Sequence, residues 1–373
     1  AFVESTSNGS ANSYKFKLAN DIDMSTASTP YLPYFSATEF KGNSFAVNNF
    51  SFNRPTSNVG FMGFVYKSTI TDLKVNSVAY TGQSIYSVNA RDYVGVALGS
   101  IYQGVVTGSI ATLAAGVKGL DYTGGFTGWA KGVMANTSAV LATSSTASVT
   151  GLTYTGGLVG NMDVVAAYTL SSNLAATGTQ YVGGLAGYLN SNYTTSNSAV
   201  TTNTATNLSA IGAVIGTSDR VGGLIGESTG GTVVMSNASA TGAVNSSNNY
   251  VGGLIGLASG GAYNDLSATG NVTQTAGDRV GGLIGQLNSG SITVASATGA
   301  VLGSGNYAGG LIGLASGTTL SASHATGNVS AVGEQVGGLV GQSNMTISDA
   351  YATGTVSGTY YVGGLVGLSQ RDV

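Results

Sequence analysis

The sequence contains no cysteine among its 373 residues, which excludes disulfide bonds, thiolate metal sites and cysteine nucleophiles. Histidine occurs once, at His324, so the clustered histidines of a zinc site are missing. Charged residues make up only 7% of the chain and the net charge is −3, which argues against nucleic acids and anionic membranes as partners. No run of 18 apolar residues predicts a transmembrane helix.

Glycine and hydrophobic residues are abundant where charge is scarce. The chain has 59 glycines, about twice the usual share, and 42% of its residues are hydrophobic. That hydrophobic share is enough for a large core, so the low charge does not indicate disorder. We therefore expect a folded protein whose outer surface consists of Ser, Thr, Asn and Gly.

One glycine-rich hexapeptide recurs along the chain at a nearly constant spacing. Its best copies read VGGLIG or VGGLVG, as at residues 251–256 and 362–367. A second motif, SATGAV at 239–244, recurs in step with it. Such a period is the signature of a repeat architecture. The Gly-Gly pairs begin at residues 156, 183, 222, 252, 281, 309, 337 and 363, and from 222 onward the steps are 30, 29, 28, 28 and 26 residues.

Each unit of about 28 residues carries three short segments rich in Val, Ile, Thr and Tyr, without helical periodicity. Three strand-like segments of this length fit one coil of a parallel β-solenoid, in which successive coils pair about 4.8 Å apart. The sequence therefore predicts an all-β fold, a right-handed parallel β-solenoid (β-helix) with three strands per coil. Ten or eleven coils would form a rod on the order of 50 Å long.

Strand alternation assigns the side chains of the hexapeptide to two faces. In the copy at 251–256 it places Val251 and Ile255 on one face and Leu254 on the other. We predict that Val251 and Ile255 point into the core. The glycines permit a bulge that would also turn Leu254 inward, so the direction of Leu254 stays open.

The residue before each hexapeptide forms a column of its own when the coils stack, and we call this column the ladder. Stacked Tyr–Tyr and Tyr–Arg contacts contribute about 0.5–1 kcal/mol each, which favours a structural role. The functional alternative is a strip that contacts a partner surface or holds sugars. The ladder consists of Tyr93, Tyr122, Tyr154, Tyr181, Arg220, Tyr250, Arg279, Tyr307, Gln335 and Tyr361.

A second column is formed by the threonines of the ATG motif. Cross-strand threonine pairs stabilise sheets in any protein, so a structural role is again favoured. Ice binding would need two regular threonine columns side by side, whereas the sequence contains one clean column. Its members are Thr241, Thr269, Thr298, Thr326 and Thr353.

Residues 1–80 differ from the repeats at 81–373, and we assign them to N-terminal coils with larger loops that cap the solenoid. An open solenoid end exposes core residues and strand edges, which a Phe-rich segment would cover. The alternative is a binding head at the tip of the rod. At the other end we expect the array to continue beyond residue 373. Nine of the ten phenylalanines lie in the first segment: Phe2, Phe16, Phe35, Phe40, Phe45, Phe50, Phe52, Phe61 and Phe64.

The repeats, together with DIDMS at 21–25 and FKGNSF at 40–45, resemble those of GLUG-motif proteins. The resemblance runs from about residue 14 to 368 and is strongest from 220 onward. These relatives are bacterial surface and secreted proteins, often adhesin-like or haemagglutinin-like. Some are immunoglobulin-A-cleaving metallopeptidases whose separate catalytic region carries a His-Glu-x-x-His helix. With His324 as the single histidine, the resemblance implies a stalk or scaffold.

Carboxylates are present but scattered. Polysaccharide-cleaving β-helix enzymes need acids that converge on one face, whereas the ten acids from Asp72 to Asp349 fall at different repeat positions. Asp219 and Asp278 share one position, each beside an arginine, and we expect them to pair with Arg220 and Arg279 at a turn. Two acids in the DIDMS segment, Asp21 and Asp23, leave calcium binding open, although two are few.

These features predict a non-enzymatic protein without cofactor or metal, secreted or displayed on a bacterial cell surface. We expect a structural or adhesive role as a rigid stalk, a biofilm-matrix fibre or a filament subunit. The expected partners are other copies of the chain or neighbouring surface proteins, with surface glycans as a further class. The alternative is a polysaccharide-binding or polysaccharide-cleaving β-helix protein.

Overall fold

The computed structural model describes residues 14–27, 31–80, 86–143, 145–191, 203–230 and 233–371. In these residues all regular structure is β-strand, and about 11 turns of roughly 29 residues stack as a β-solenoid. Neighbouring coils pair in parallel with equivalent residues facing each other, as in Ile255↔Ile284 and Ile284↔Ile312. The predicted solenoid is therefore confirmed. No helix in the described ranges is long and apolar enough to cross a membrane.

Three parallel sheets run along the rod, and their strands are counted over the described residues only. Sheet A has 24 strands: Lys15–Lys17, Ile22–Asp23, Leu32–Phe35, Glu39–Lys41, Ala46–Phe50, Met62–Tyr66, Thr69–Thr71, Lys74–Ser77, Leu98–Thr107, Ile110–Leu113, Thr127–Leu141, Val159–Ser172, Ala186–Asn190, Asn203–Ala210, Ile225–Thr229, Val233–Ala240, Ile255–Ala268, Ile284–Ala297, Ile312–Ala315, Thr319–Ala325, Val340–Ser343, Thr346–Ser348, Tyr351–Ala352 and Val366–Ser369. Sheet B has 11: Phe52–Asn53, Tyr86–Asn89, Gly116–Lys118, Ser148–Thr150, Ala175–Gly178, Val214–Gly216, Val244–Ser246, Val272–Gln274, Val301–Gly303, Val329–Ala331 and Val356–Ser357. Sheet C has nine: Asp121–Gly124, Thr153–Gly156, Gln180–Gly183, Val221–Gly222, Val251–Gly252, Val280–Gly281, Ala308–Gly309, Glu334–Gly337 and Tyr360–Gly363.

The repeats bury two separate hydrophobic cores. Leu254 and Ile255 point into the main core, whereas Val251 packs with Val272 and Val280 in a smaller one. Val251, Leu254 and Ile255 are all 0% exposed. The inward direction of Val251 and Ile255 is thus confirmed, and Leu254 also turns inward. Alternation does not hold across the hexapeptide because the chain bends at Gly253 and Leu254.

The three glycines of the hexapeptide each leave room for a different backbone group. A Cβ at Gly252 would lie 2.0 Å from the carbonyl oxygen of Ile255 in the same coil. At Gly253 it would lie 2.0 Å from the carbonyl oxygen of Gly282 in the next coil, and at Gly256 it would lie 2.7 Å from that of Tyr250. The repeat is therefore glycine-rich because backbone passes closer here than any side chain allows.

A corner in sheet A holds one residue per coil in the left-handed backbone region. Asn and Asp tolerate this conformation, and in one pair the Asn237 side chain donates to Asn207 in the adjacent coil. Asp72, Asp265 and Asp349 share this position, so these three acids are less scattered than the sequence indicated. The non-glycine members of the column are Asp72, Asn136, Thr169, Asn207, Asn237, Asp265, Val294, Ala322 and Asp349, with φ between 47° and 57°.

Val294 is a β-branched, apolar member of this column, and we expect Val294→Asn to stabilise the protein. A β-branched side chain is strained at its φ of 57°, and 46% of Val294 is exposed, so little packing is lost. The expected gain is about 1 kcal/mol in the free energy of unfolding, measured by urea denaturation. The control is Thr293→Asn, an exposed position next to it, where no gain is expected.

The Phe-rich N-terminal segment continues the solenoid with larger side chains. Its strands pair in register with the next coils, for example Phe40↔Ile70. The rings of Phe16 and Phe35, of Phe35 and Phe40, and of Phe40 and Phe61 have centroids 5.7, 5.8 and 6.5 Å apart. Phe2 lies outside the described residues. The assignment of residues 1–80 as a cap stays a prediction.

Candidate functional site

From Tyr93 to Tyr307 the ladder forms a continuous stack, next to the first residues of the sheet C strands. Its first four rings lie nearly parallel. Tyr93 and Tyr122 have centroids 4.7 Å apart, Tyr122 and Tyr154 4.8 Å, and Tyr154 and Tyr181 4.6 Å, with interplanar angles of 6°, 10° and 22°. The spacing matches the distance between hydrogen-bonded parallel strands, so the backbone ladder sets the spacing of the rings.

Arginine and tyrosine alternate in the second half of the ladder. The Arg220 guanidinium lies 4.9 Å from the Tyr181 ring centroid and 5.5 Å from that of Tyr250. Arg279 lies 5.2 Å from Tyr250 and 5.5 Å from Tyr307. Each guanidinium is therefore held between two aromatic faces, a cation–π arrangement that also separates the like charges of the two arginines.

Every ladder residue has a left-handed backbone, with φ between 48° and 69°. This conformation costs about 1–2 kcal/mol for a residue other than glycine. Hydrogen bonds between coils in the preceding column of Asn and Asp residues hold the backbone of the turn. Asn249 Oδ1 accepts the Asp278 backbone N–H at 2.8 Å, and Asp278 Oδ1 accepts the Asn306 backbone N–H at 2.7 Å. The stacking and these hydrogen bonds together offset the backbone strain.

The expected pairing of Asp219 with Arg220 was wrong. Asp219 Oδ1 accepts the backbone and side-chain N–H groups of Asn249, both at 3.2 Å. Arg220 instead pairs with Glu227, and the side chains of this pair are 26% and 12% exposed. Likewise, Asp278 Oδ1 accepts the backbone N–H of Asn306 in the next coil. Each aspartate side chain therefore points along the rod axis to the next coil. Arg220 contacts Glu227, the residue that follows the hexapeptide in its own coil.

The carboxylate of Glu227 is largely buried. Burial raises its pKa above the ordinary value of 4.5, and the Arg220 charge opposes that rise. The ion pair thus stabilises a charged form that burial alone disfavours.

A second column, directly after the hexapeptide, packs against the ladder, and sequence analysis missed it. Trp129 lies 6.2 Å from Tyr93, and Tyr188 lies 5.7 Å from Tyr154. Trp129 donates its Nε1–H to Asp163 at 2.9 Å. The signal was available, because Trp129, Tyr188 and Glu227 all stand one residue after a hexapeptide copy. The candidate site is therefore two columns wide.

The ladder presents ring edges and hydroxyl groups to its surroundings, because neighbouring rings cover the faces. Burial, with smaller contributions from Tyr181 and Tyr122, raises the pKa of Tyr154 to about 12. Its hydroxyl therefore stays neutral at physiological pH. Such an edge suits hydrogen bonding to a partner better than stacking on a sugar face. The ladder as a partner-contact surface stays a prediction.

We expect Tyr154→Leu to lower the free energy of unfolding by about 1–2 kcal/mol, because it removes two stacked ring contacts. Tyr154→Phe keeps the ring and the left-handed backbone requirement, and should stay within about 0.5 kcal/mol of wild type. Chemical denaturation of the three proteins measures both values. Equal losses in the two variants would show that the hydroxyl, and not the stack, carries the stability.

The remaining candidates have structural surroundings. His324 stacks on Tyr351 with centroids 5.0 Å apart, as one rung among others. The threonines of the ATG column are exposed and form a single column. Asp21 accepts the Ala46 N–H at 2.8 Å, and Asp23 accepts from Asn49, a bond that lowers the Asp23 pKa. Within the described ranges, no three His, Asp or Glu side chains group as metal ligands.

Comparison with known families matches residues 332–357 to the GLUG motif. The chain carries a GLUG motif. The matched segment spans one coil, from sheet C through sheet A to the sheet B strand Val356–Ser357, and it contains the ladder residue Gln335. This match supports a GLUG-repeat protein, and the other coils stack on the matched coil in register. No curated protein and no solved structure matches the chain.

Proposed function

We propose that this GLUG-repeat protein is an extracellular structural and adhesive rod, a stalk or fibre subunit of a bacterial surface or secreted assembly. The observation that carries the proposal is the unbroken side-chain ladder that accompanies the backbone pairing. Seven contacts between stacked Tyr and Arg side chains connect eight successive coils, from Tyr93 to Tyr307. These non-covalent contacts between successive coils oppose bending of the rod, and a stalk has to be stiff.

The outer surface supports association with other copies or with neighbouring surface proteins. The exposed threonine column is neutral, and the exposed residues of the sheet B strands from Val214 onward are uncharged, among them Ile215, Asn245, Leu302 and Ser330. With 7% charged residues, little electrostatic repulsion keeps two rods apart. Lateral packing of rods would then combine hydroxyl and amide hydrogen bonds with apolar contacts of Ile215 and Leu302.

Negative-stain electron microscopy of the purified chain tests this proposal. We expect straight rods about 50 Å long, given about 4.8 Å per coil, and side-by-side bundles as protein concentration rises. Analytical ultracentrifugation over the same concentrations measures the association. Bent or globular particles that remain monomeric at all concentrations would contradict the rod proposal.

A second candidate function is binding or cleavage of polysaccharide. The cluster of Trp129, Tyr102, Lys131 and Asp163 favours it, since Lys131 Nζ lies 4.9 Å over the Tyr102 ring beside the bonded Trp129–Asp163 pair. Cleavage would require Asp163 for turnover. Loss of polysaccharide depolymerisation in Asp163→Asn, with binding retained, would favour an enzyme over the rod alone.

A further inference from the structure

A cleft of about 270 Å³ opens beside the first turns of sheet B. Two arginines, Arg54 and Arg91, line it together with the amides of Asn53 and Asn89, and Leu120 forms part of an apolar wall. These residues come from three successive coils, so the sequence motifs did not connect them. The volume is just below the usual range of about 300–1,000 Å³ for ligand pockets, and it suits about one sugar ring.

The cleft carries positive charge in a chain that has little charge elsewhere. Between residues 15 and 131 the sequence has nine basic and six acidic residues, a local excess of three positive charges in a chain of net charge −3. In the described part of the chain, no acid pairs with Arg54. Arg91 touches Asp92 only through Nε at 3.5 Å, with its side chain 65% exposed. Both guanidinium groups are therefore accessible to an anion.

Backbone hydrogen bonds between coils hold the walls of the cleft in place. Arg54 donates its N–H to Asn89 O at 3.1 Å, Arg91 donates to Thr56 O at 2.9 Å, and Leu120 donates to Arg91 O at 2.6 Å. The Asn89 side chain donates to Asn53 Oδ1 at 3.0 Å. Since the walls are already ordered, little conformational entropy is lost when a ligand binds.

We propose that this cleft binds a carboxylate- or sulfate-bearing sugar of an acidic polysaccharide. Guanidinium groups bind carboxylate and sulfate oxygens through paired, charge-assisted hydrogen bonds. Leu120 is 42% exposed and Leu152, one coil further, is 50% exposed. Leu152 donates its backbone N–H to Leu120 O at 2.7 Å, so the two leucines lie in adjacent coils. Their side chains form an apolar surface beside the cleft that the next sugar ring of the polysaccharide would contact.

A nucleic acid is a poorer occupant of the same cleft. Single strands bind through aromatic side chains on which bases stack, whereas the residues that line the cleft are arginine, asparagine, proline, alanine and leucine. The inference is independent of the rod proposal, because the cleft belongs to the first coils and its test reads ligand binding rather than particle shape.

Isothermal titration calorimetry of the full chain tests the cleft with four probes: oligogalacturonate, a sulfated heparin fragment, neutral dextran oligomers and oligo-dT. We expect binding of an acidic sugar, either carboxylated or sulfated, and none of dextran. Arg54→Gln combined with Arg91→Gln should weaken that binding by about tenfold or more. The matched control, Lys41→Gln with Lys74→Gln, removes the same charge elsewhere and should change affinity less than twofold.

A second variant, Leu120→Asp, places a carboxylate in the cleft wall and should weaken acidic sugars while the thermal melt stays cooperative. Absence of acidic-sugar binding to wild type would overturn the proposal. So would equal losses in the lysine control, or tighter binding of oligo-dT than of either acidic sugar.

Discussion

Gly253→Ala should destabilise the solenoid by at least about 3 kcal/mol, because a methyl group would meet the Gly282 carbonyl oxygen at 2.0 Å. The φ angle of Gly253 is not in the positive range that favours glycine, so the substitution tests packing between coils and not backbone conformation. Either the two coils separate or the parallel pairing breaks locally. Urea denaturation measures the loss, and amide hydrogen exchange should show faster exchange on both sides of residue 253.

The matched control is Gly364→Ala in the last described copy of the same hexapeptide. No atom lies within 4 Å of a Cβ built there, whereas the equivalent Gly338 faces the Gly364 carbonyl at 2.1 Å. We expect Gly364→Ala to change stability by less than about 0.5 kcal/mol. A large loss at position 364, or a small one at 253, is incompatible with coils that stack glycine on carbonyl.

Arg220→Gln should lower the free energy of unfolding by about 2 kcal/mol at neutral pH. It removes the guanidinium between Tyr181 and Tyr250 and leaves the half-buried Glu227 without its counter-ion. Breaking a fully buried pair costs about 3–5 kcal/mol, and the partial exposure here reduces that value. The double variant Arg220→Gln/Glu227→Gln should regain part of the loss, since no unpaired charge remains.

The same variant has a defined pH dependence. Burial raises the folded-state pKa of Glu227 above 4.5, so the folded protein binds a proton at this carboxyl more tightly than the unfolded chain does. The stability that results from this pKa difference is fully present below pH 4.5 and is lost as the pH rises through the folded-state pKa. Without Arg220 the pKa rises further, and the loss between acid and neutral pH grows. Denaturation curves from pH 4 to 7 measure this slope. Identical slopes for wild type and Arg220→Gln would show that the two side chains are uncoupled.

Much of the candidate site followed from the repeat alone. Because equivalent residues of a solenoid coincide in space, the positions of Tyr122 and Tyr154 in one column could be read from their spacing, and their stacking distance follows from the strand spacing. The left-handed backbone of the ladder could not be predicted, because bulky residues rarely adopt it without tertiary support. The partner of Arg220 was missed for that reason, since the turn reverses the expected direction of its side chain.

The sequence by itself determined the repeat period, the all-β class, the ladder and the inward positions of Val251 and Ile255, because each depends only on identical units being stacked. Tertiary structure alone decided that Leu254 points inward, that the interior divides into two cores, and that Arg54 and Arg91 line one cleft. These features depend on where the chain bends within a coil and on contacts between unlike coils. Periodicity carries no information about either.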